Sequence, residues 1–196
     1  ILLINGIVEE GATLTADISG ITDVDGSLTF TFQWQLADDS SSFDSNSNII
    51  GETNSTITIP SDQSYVDKFI RLTAVSTDAR GGITTFETLP QQVLNVNDLP
   101  VFTSIPITNA NNEDQYIYNI SVNDEDNDDI EIEVVNIPNW LSLIDNGDNT
   151  GTLSGYASIS DEGENTVIIK AIDSNGGETE QTFTISVEIV ILTQEI

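Results

Sequence analysis

The chain has 196 residues, 38% of them hydrophobic, and sets 33 acidic side chains against 4 basic ones for a formal net charge of −29. That length fits one large domain or two of about 100 residues, and the charge excludes a nucleic-acid footprint and electrostatic attachment to an anionic membrane. With no Cys and no His, disulfides, Cys/His zinc sites and Ser-His-Asp or Cys-His catalysis are ruled out as well. No apolar run approaches the roughly 18 residues that span a bilayer. The longest, near residues 185–192, is broken by Ser186 and Glu188 and reads as a terminal strand. The chain starts at Ile1 with no signal peptide and reads as a piece of something longer, so a missing targeting segment carries no weight.

Strand signals follow one another along the chain. Phe30, Phe32, Trp34 and Leu36 alternate with Thr31, Gln33 and Gln35, the period of a half-buried strand. Residues 38–48, rich in Ser, Asp and Asn, read as a flexible loop or a poor edge. Ile57 and Ile59, then Ile70, Leu72 and Ala74, resume the alternation, and Ile130, Ile132 and Val134, then Phe183, Ile185 and Val187, continue it in the second half. Asp25-Gly26, Gly81-Gly82, Asn146-Gly147 and Gly176-Gly177 punctuate the runs as turns. No long stretch has helical periodicity, so the pattern is that of β-sandwiches.

The chain also repeats itself. Asp23-Val24-Asp25-Gly26 has a counterpart in Asp124-Glu125-Asp126-Asn127-Asp128, and Asp78-Ala79-Arg80-Gly81-Gly82 in Asp173-Ser174-Asn175-Gly176-Gly177. Two acidic motifs recurring in order at a domain-sized interval predict tandem homologous folds, residues 1–98 and 99–196, joined at Asn97-Asp98-Leu99-Pro100. In such folds the loops after the second and sixth strands share one end, which brings Asp124, Asp126 and Asp128 to Asp173. Glu9 or Glu10, before Gly11, falls at the opposite end of the first domain, with Asp62 or Asp67 as a neighbour. Carboxylates of two domains then converge on the linker, an oxygen-rich setting of the kind Ca²⁺ takes with six to eight ligands. The plain alternative is solvated turn aspartates, since Asp and Asn favour turns without any metal. Residues 124–135 open like an EF-hand but carry Asp129 where that loop needs Gly and Val135 where it needs Glu. The nonapeptide of a calcium β-roll is also absent.

Val122-Asn123-Asp124-Glu125-Asp126, Pro138-Asn139-Trp140-Leu141-Ser142, Thr150-Gly151-Thr152-Leu153-Ser154-Gly155 and Ala171-Ile172-Asp173-Ser174-Asn175-Gly176-Gly177 together resemble the dystroglycan-type cadherin-like domain. Glu9-Glu10-Gly11-Ala12-Thr13-Leu14, Phe32-Gln33-Trp34-Gln35 and Val96-Asn97-Asp98-Leu99-Pro100 more loosely resemble the immunoglobulin-like repeats of giant bacterial adhesins. The resemblance implies two tandem Ig-like or cadherin-like Greek-key sandwiches, extracellular, with Ca²⁺ at interdomain junctions. It assigns Glu10, Asn97, Asp98, Asp124, Asp126 and Asp173 to the junction, and Asp23, Asp25 and Asp78 to one with a preceding domain. Two departures stand out: Leu99 replaces a second linker Asn, and residues 190–196 lack another Asn-Asp-x-Pro.

Three functions follow as expectations. The first is a structural extender of a bacterial adhesin, partnered by neighbouring domains of its own chain and by host or cell-surface glycan or protein. The second is a glycan- or protein-binding module, and the third is self-association through an edge strand. Catalysis is not expected, because the acids lie in short turns with no long loop to build a cleft. Trp34 and Trp140 read as packing residues rather than glycan platforms, Tyr116 and Tyr118 as buried on one strand face, and Tyr65 as a tyrosine corner. The sequons at Asn54 and Asn119 read as chance.

Overall fold

The computed structural model describes residues 1–24 and 26–191. They form two compact units, Ile1–Val96 and Asn97–Ile196, each a sandwich of two sheets.

In the first unit β1 (Leu3–Asn5), β2 (Thr13–Asp17) and β4 (Thr56–Thr58) make one sheet, in the order β1-β2-β4. The other holds β3 (Thr29–Ala37), β5 (Phe69–Thr77) and β6 (Ile83–Glu87) in that order, with β7 (Gln91–Gln92) also paired to β5. The chain changes sheet from β2 to β3, from β3 to β4 and from β4 to β5, a Greek-key path. Glu9 then pairs in parallel with Leu94, tying the start of the unit to its last segment.

The core is centred on Trp34, opposite Leu72 in the β3–β5 register, both with 0% exposure. The Trp34 indole donates to Asn54 O at 3.0 Å, so its one polar atom is satisfied in the interior. Strand β5 keeps strict alternation, burying Ile70, Leu72, Ala74 and Ser76.

Strand β3 departs from the alternation its sequence predicts. Phe30 and Phe32 are half-buried and stack at 6.2 Å, whereas Gln35 is buried. The reason is the segment at residues 38–48. It is held, not loose: a 3₁₀ turn at Ser45–Ser47 is capped by Asp44, which accepts from Asn46 N at 2.7 Å. Gln35 Nε2 donates to Asn48 Oδ1 at 2.7 Å, and Gln35 Oε1 accepts from Arg71 Nε at 2.7 Å. The Arg71 guanidinium lies 4.5 Å from the centre of the Phe43 ring and 3.1 Å from Glu87 Oε2. The segment thus covers Gln35, with Asn48 and the Arg71 side chain of β5 satisfying the two ends of its amide. Tyr65, read from the sequence as a tyrosine corner, packs against the core.

The second unit has β12 (Leu141–Asp145), β13 (Thr150–Gly155), β10 (Tyr116–Asn123) and β8 (Val101–Phe102) in one sheet, in that order. The other runs β11 (Ile130–Asn136), β14 (Gly163–Asp173), β15 (Glu178–Glu188) and β9 (Asn109–Asn111), the last pairing in parallel with β15. The terminal strand ends at Glu188, within the apolar run, and residues 192–196 lie outside the described residues.

The inward row of β10 is Tyr116, Tyr118, Ile120 and Val122, and that of β14 is Val167, Ile169 and Ala171. The Tyr118 hydroxyl lies 2.7 Å from Ser104 Oγ and donates to Gln181 Oε1 at 2.8 Å. Trp140 is half-buried and meets Tyr116 edge-on at 5.7 Å, with its indole donating to Asn165 Oδ1 at 3.1 Å.

Candidate functional site

Both inward rows of the second unit run on into an acid. Asp124 follows Val122 by two residues and Asp173 follows Ala171 by two, and each is 4% exposed. The strand period, which buries every second side chain, therefore carries a carboxylate into the rim of the core. The two rims are adjacent because Ile130, at the start of β11, pairs with Asp173 at the end of β14.

Asp124 Oδ1 accepts the backbone N–H of Asp126 at 2.9 Å and of Asp128 at 3.4 Å. Its Oδ2 is buried and has no hydrogen-bond partner among the described residues. Asp126 and Asp128 project from the same loop, and oxygens of Asp124, Asp126 and Asp128 lie within 4.8 Å of one another. Asn127, with φ +61°, supplies the left-handed residue that closes this turn.

Like charges so close repel by on the order of 3 kcal/mol per pair before solvent screening. Burial, opposed by the two backbone donors and aided by the charges of Asp126 and Asp128, pushes the Asp124 carboxyl above its ordinary range. An acid raised on folding favours the fold when protonated and loses that contribution as pH rises through its folded value. A cation placed against the Asp124 carboxylate would offset both its burial and the repulsion from Asp126 and Asp128. The donor set, all oxygen, suits a hard cation such as Ca²⁺ rather than a softer metal.

The linker residues assigned to this unit close on the same loops. Asp98 N donates to Asp126 Oδ2 at 2.7 Å, and Asn97 Nδ2 donates to Asp173 Oδ2 at 2.9 Å and to Asp98 O at 3.0 Å. Asn175 Nδ2 donates to Asp128 Oδ2, which joins the two loops. Reading the sequence did not single out Asn175, although its place inside the repeated Asp-x-x-Gly-Gly motif was visible.

That motif has a structural reason in both units. Asp173 Oδ1 accepts from Asn175 N and Gly177 N, each at 2.8 Å, and Asp78 Oδ1 accepts from Arg80 N at 2.8 Å and Gly82 N at 2.7 Å. Gly176 and Gly81 take φ of +91° and +88°, and a Cβ on Gly177 or Gly82 would overlap the Asp carboxylate. The aspartate thus fastens its own turn with one oxygen, and in the second unit its other oxygen accepts from Asn97.

The Asn97 amide, outweighing the cost of burial, holds the Asp173 carboxyl below its ordinary range. Its contribution to stability is full above about pH 4 and is lost as pH falls through the depressed folded value. An acid titration of unfolding should therefore show a shallower loss of stability below about pH 4 in Asp173→Asn than in the native chain. Identical acid limbs would contradict this role for Asp173.

The remaining expected ligands lie in the first unit. Glu10 is 8% exposed, and its Oε1 accepts the backbone N–H of Val96 at 2.7 Å. Asp23 and Asp78 line one small cavity of about 140 Å³ with Ser76 and Gly82. Among the described residues neither belongs to a group of three acids close enough to share an ion, and Asp25 lies outside the described residues. Asp62 caps its own turn at Ser64 N, 2.9 Å, and Asp67 accepts from Gln92 at 3.3 Å.

Residues 99–188 match the family model described as Putative Ig domain, which identifies the second unit as an Ig-like fold. No curated protein matches the chain. Among solved structures, PcdhgB3 EC1-4 aligns with a TM-score of 0.53 at 11% identity, over 96% of this chain and 45% of that one. An endo-fucoidan hydrolase of glycoside hydrolase family 107, MfFcnA4, aligns at 0.45 with 20% identity over 85% of this chain, which spans only 24% of the hydrolase. The SrpA adhesin of Streptococcus sanguinis aligns at 0.38 with 17% identity over 48% of this chain and 59% of the adhesin. At such identities the likeness is one of fold: the chain shares the Ig-like and cadherin-like sandwich.

Proposed function

We propose that this chain is a non-catalytic, calcium-dependent extender or presenting module of a large secreted or surface-displayed bacterial adhesion protein, its second unit akin to dystroglycan-type cadherin-like domains. Ca²⁺ is taken up by Asp124, Asp126 and Asp128, with Asn97, Asp98 and Asp173 shaping the site. The resemblance read from the sequence adds Glu10 as a further ligand, and on that reading the ion stiffens the junction between neighbouring domains. Asp23, Asp25 and Asp78 serve the same purpose toward a domain before the first unit. The observation that carries the reading is the buried Oδ2 of Asp124, which lacks a donor among the described residues and belongs to a carboxylate grouped with those of Asp126 and Asp128. A buried anionic oxygen without a donor costs several kcal/mol unless a cation meets it. Extracellular modules of this kind hold Ca²⁺ with dissociation constants of about 10⁻⁴ to 10⁻³ M.

Small-angle scattering in millimolar calcium and in excess chelator tests the stiffening. The particle is expected to lengthen and narrow its distance distribution with calcium, and Asp98→Ala to lose that change while both units stay folded. Identical scattering in the two buffers would sink the extender reading and return attention to a glycan or protein ligand.

A further inference from the structure

In each unit a side chain near the start accepts a hydrogen bond from the outgoing backbone, and the two units use different chemistry for the same bond. In the first, Glu9 pairs in parallel with Leu94, and the next side chain, Glu10, accepts from Val96 N at 2.7 Å. In the second, Asn111 pairs in parallel with Glu188, and the next side chain, Asn112, accepts from Val190 N through its Oδ1, also at 2.7 Å. The correspondence is residue for residue: the acceptor follows the parallel pair by one position and the donor by two. Asn112 therefore stands where the first unit has a carboxylate.

The change of chemistry has consequences. A carboxylate only accepts, and it carries a charge that a cation can claim. The Asn112 amide also donates, to Val190 O at 3.4 Å and to Glu113 Oε1 at 3.3 Å, so it grips the outgoing backbone on both its N–H and its C=O. The turn that follows is closed the same way, with Asn111 Oδ1 accepting from Glu113 N and Asp114 N, each at 2.8 Å.

We propose that Asn112 is a charge-neutral latch that fixes the outgoing chain of the second unit at Val190 without a cation. The cation dependence of this protein is then one-sided: the second unit takes its ion at the Asp124 end and leaves at the Asn112 end on hydrogen bonds alone. The latch rests on the Asn112 geometry and stands whether or not calcium binds at Asp124.

Amide hydrogen exchange of the full chain, read by NMR, tests it. Protection at Val190 N should be the same in calcium and in chelator. It should fall about five- to tenfold in Asn112→Ala, the size expected for one net hydrogen bond, and persist in Asn112→Asp, which keeps the acceptor oxygen. Unchanged protection at Ile169, in the core, verifies that the variants remain folded. Loss of Val190 protection on chelation, or full protection in Asn112→Ala, would overturn the latch.

Discussion

Calcium at a hundredfold excess over its dissociation constant is expected to raise the stability of the second unit by about 2.7 kcal/mol, which for a unit of this size moves its melting temperature by roughly 10–20 °C. Asp124→Asn should abolish the rise and, in chelator, leave the unit as stable as the native chain or more so. The asymmetry follows from where the two oxygens of Asp124 point. An amide at position 124 can still accept the backbone N–H groups of Asp126 and Asp128 through its oxygen. In place of the donorless Oδ2 it offers an N–H₂ to the carboxylates of Asp126 and Asp128. The turn survives, the repulsion falls, and the hard-cation ligand is gone. Differential scanning calorimetry in the two buffers reads all four values. A calcium-dependent rise that persists in Asp124→Asn would place the ion elsewhere.

The second large effect is at Gly155. It pairs with Leu141 on one side and Tyr116 on the other, in the middle of a three-strand ribbon. A Cβ there would overlap Trp140 O and lie 2.8 Å from Trp140 C and 3.1 Å from Leu141 Cα. These are backbone atoms, so no side chain can swing away, and β12 would have to part from β13. Gly155→Ala should cost about 3 kcal/mol or more. Gly147→Ala makes the contrast: φ is +73° there, but nothing lies within 4 Å of the added methyl, so only the left-handed backbone is penalised, by about 1–2 kcal/mol. Urea unfolding compares them, and a Gly155→Ala midpoint at the native value would refute the close approach.

Much of the fold was legible in the sequence because period-2 alternation is a direct trace of a sheet with one buried face. Trp34, Leu72, Tyr118 and Ile185 sit in the cores that alternation defines. What alternation could not show is what covers the polar face. Gln35 is buried because Asn48 and Arg71, distant in sequence, close over it, and residues 38–48 gain their order from the same contacts.

The site was legible in part. The repeated Asp-x-x-Gly-Gly motif marked the loops, and its reason, a carboxylate stitched to two backbone N–H groups, needs the coordinates. One signal went unused. Counting by twos from Val122 lands on Asp124, from Ala171 on Asp173, and from Ala74 through Ser76 on Asp78. The parity of a strand thus tells which acids of an acidic loop turn inward, and for Asp124 and Asp173 that inward turn is burial. The same counting leaves Asp62 and Asp67 without such a phase, and both are spent on neighbouring groups. The role of Asn112 had no local trace, since its equivalence to Glu10 depends on the parallel pairing of β9 with β15.

The central claim, a cation held against Asp124, is tested most directly by titrating calcium into the chelator-stripped chain in a calorimeter, beside Asp124→Asn under the same conditions. Saturable heat with a dissociation constant of about 10⁻⁴ to 10⁻³ M is expected in the native chain, and at least one site fewer in the variant. Equal heats and equal stoichiometry in the two proteins would contradict it, leaving the acids at residues 124–128 as a solvated turn.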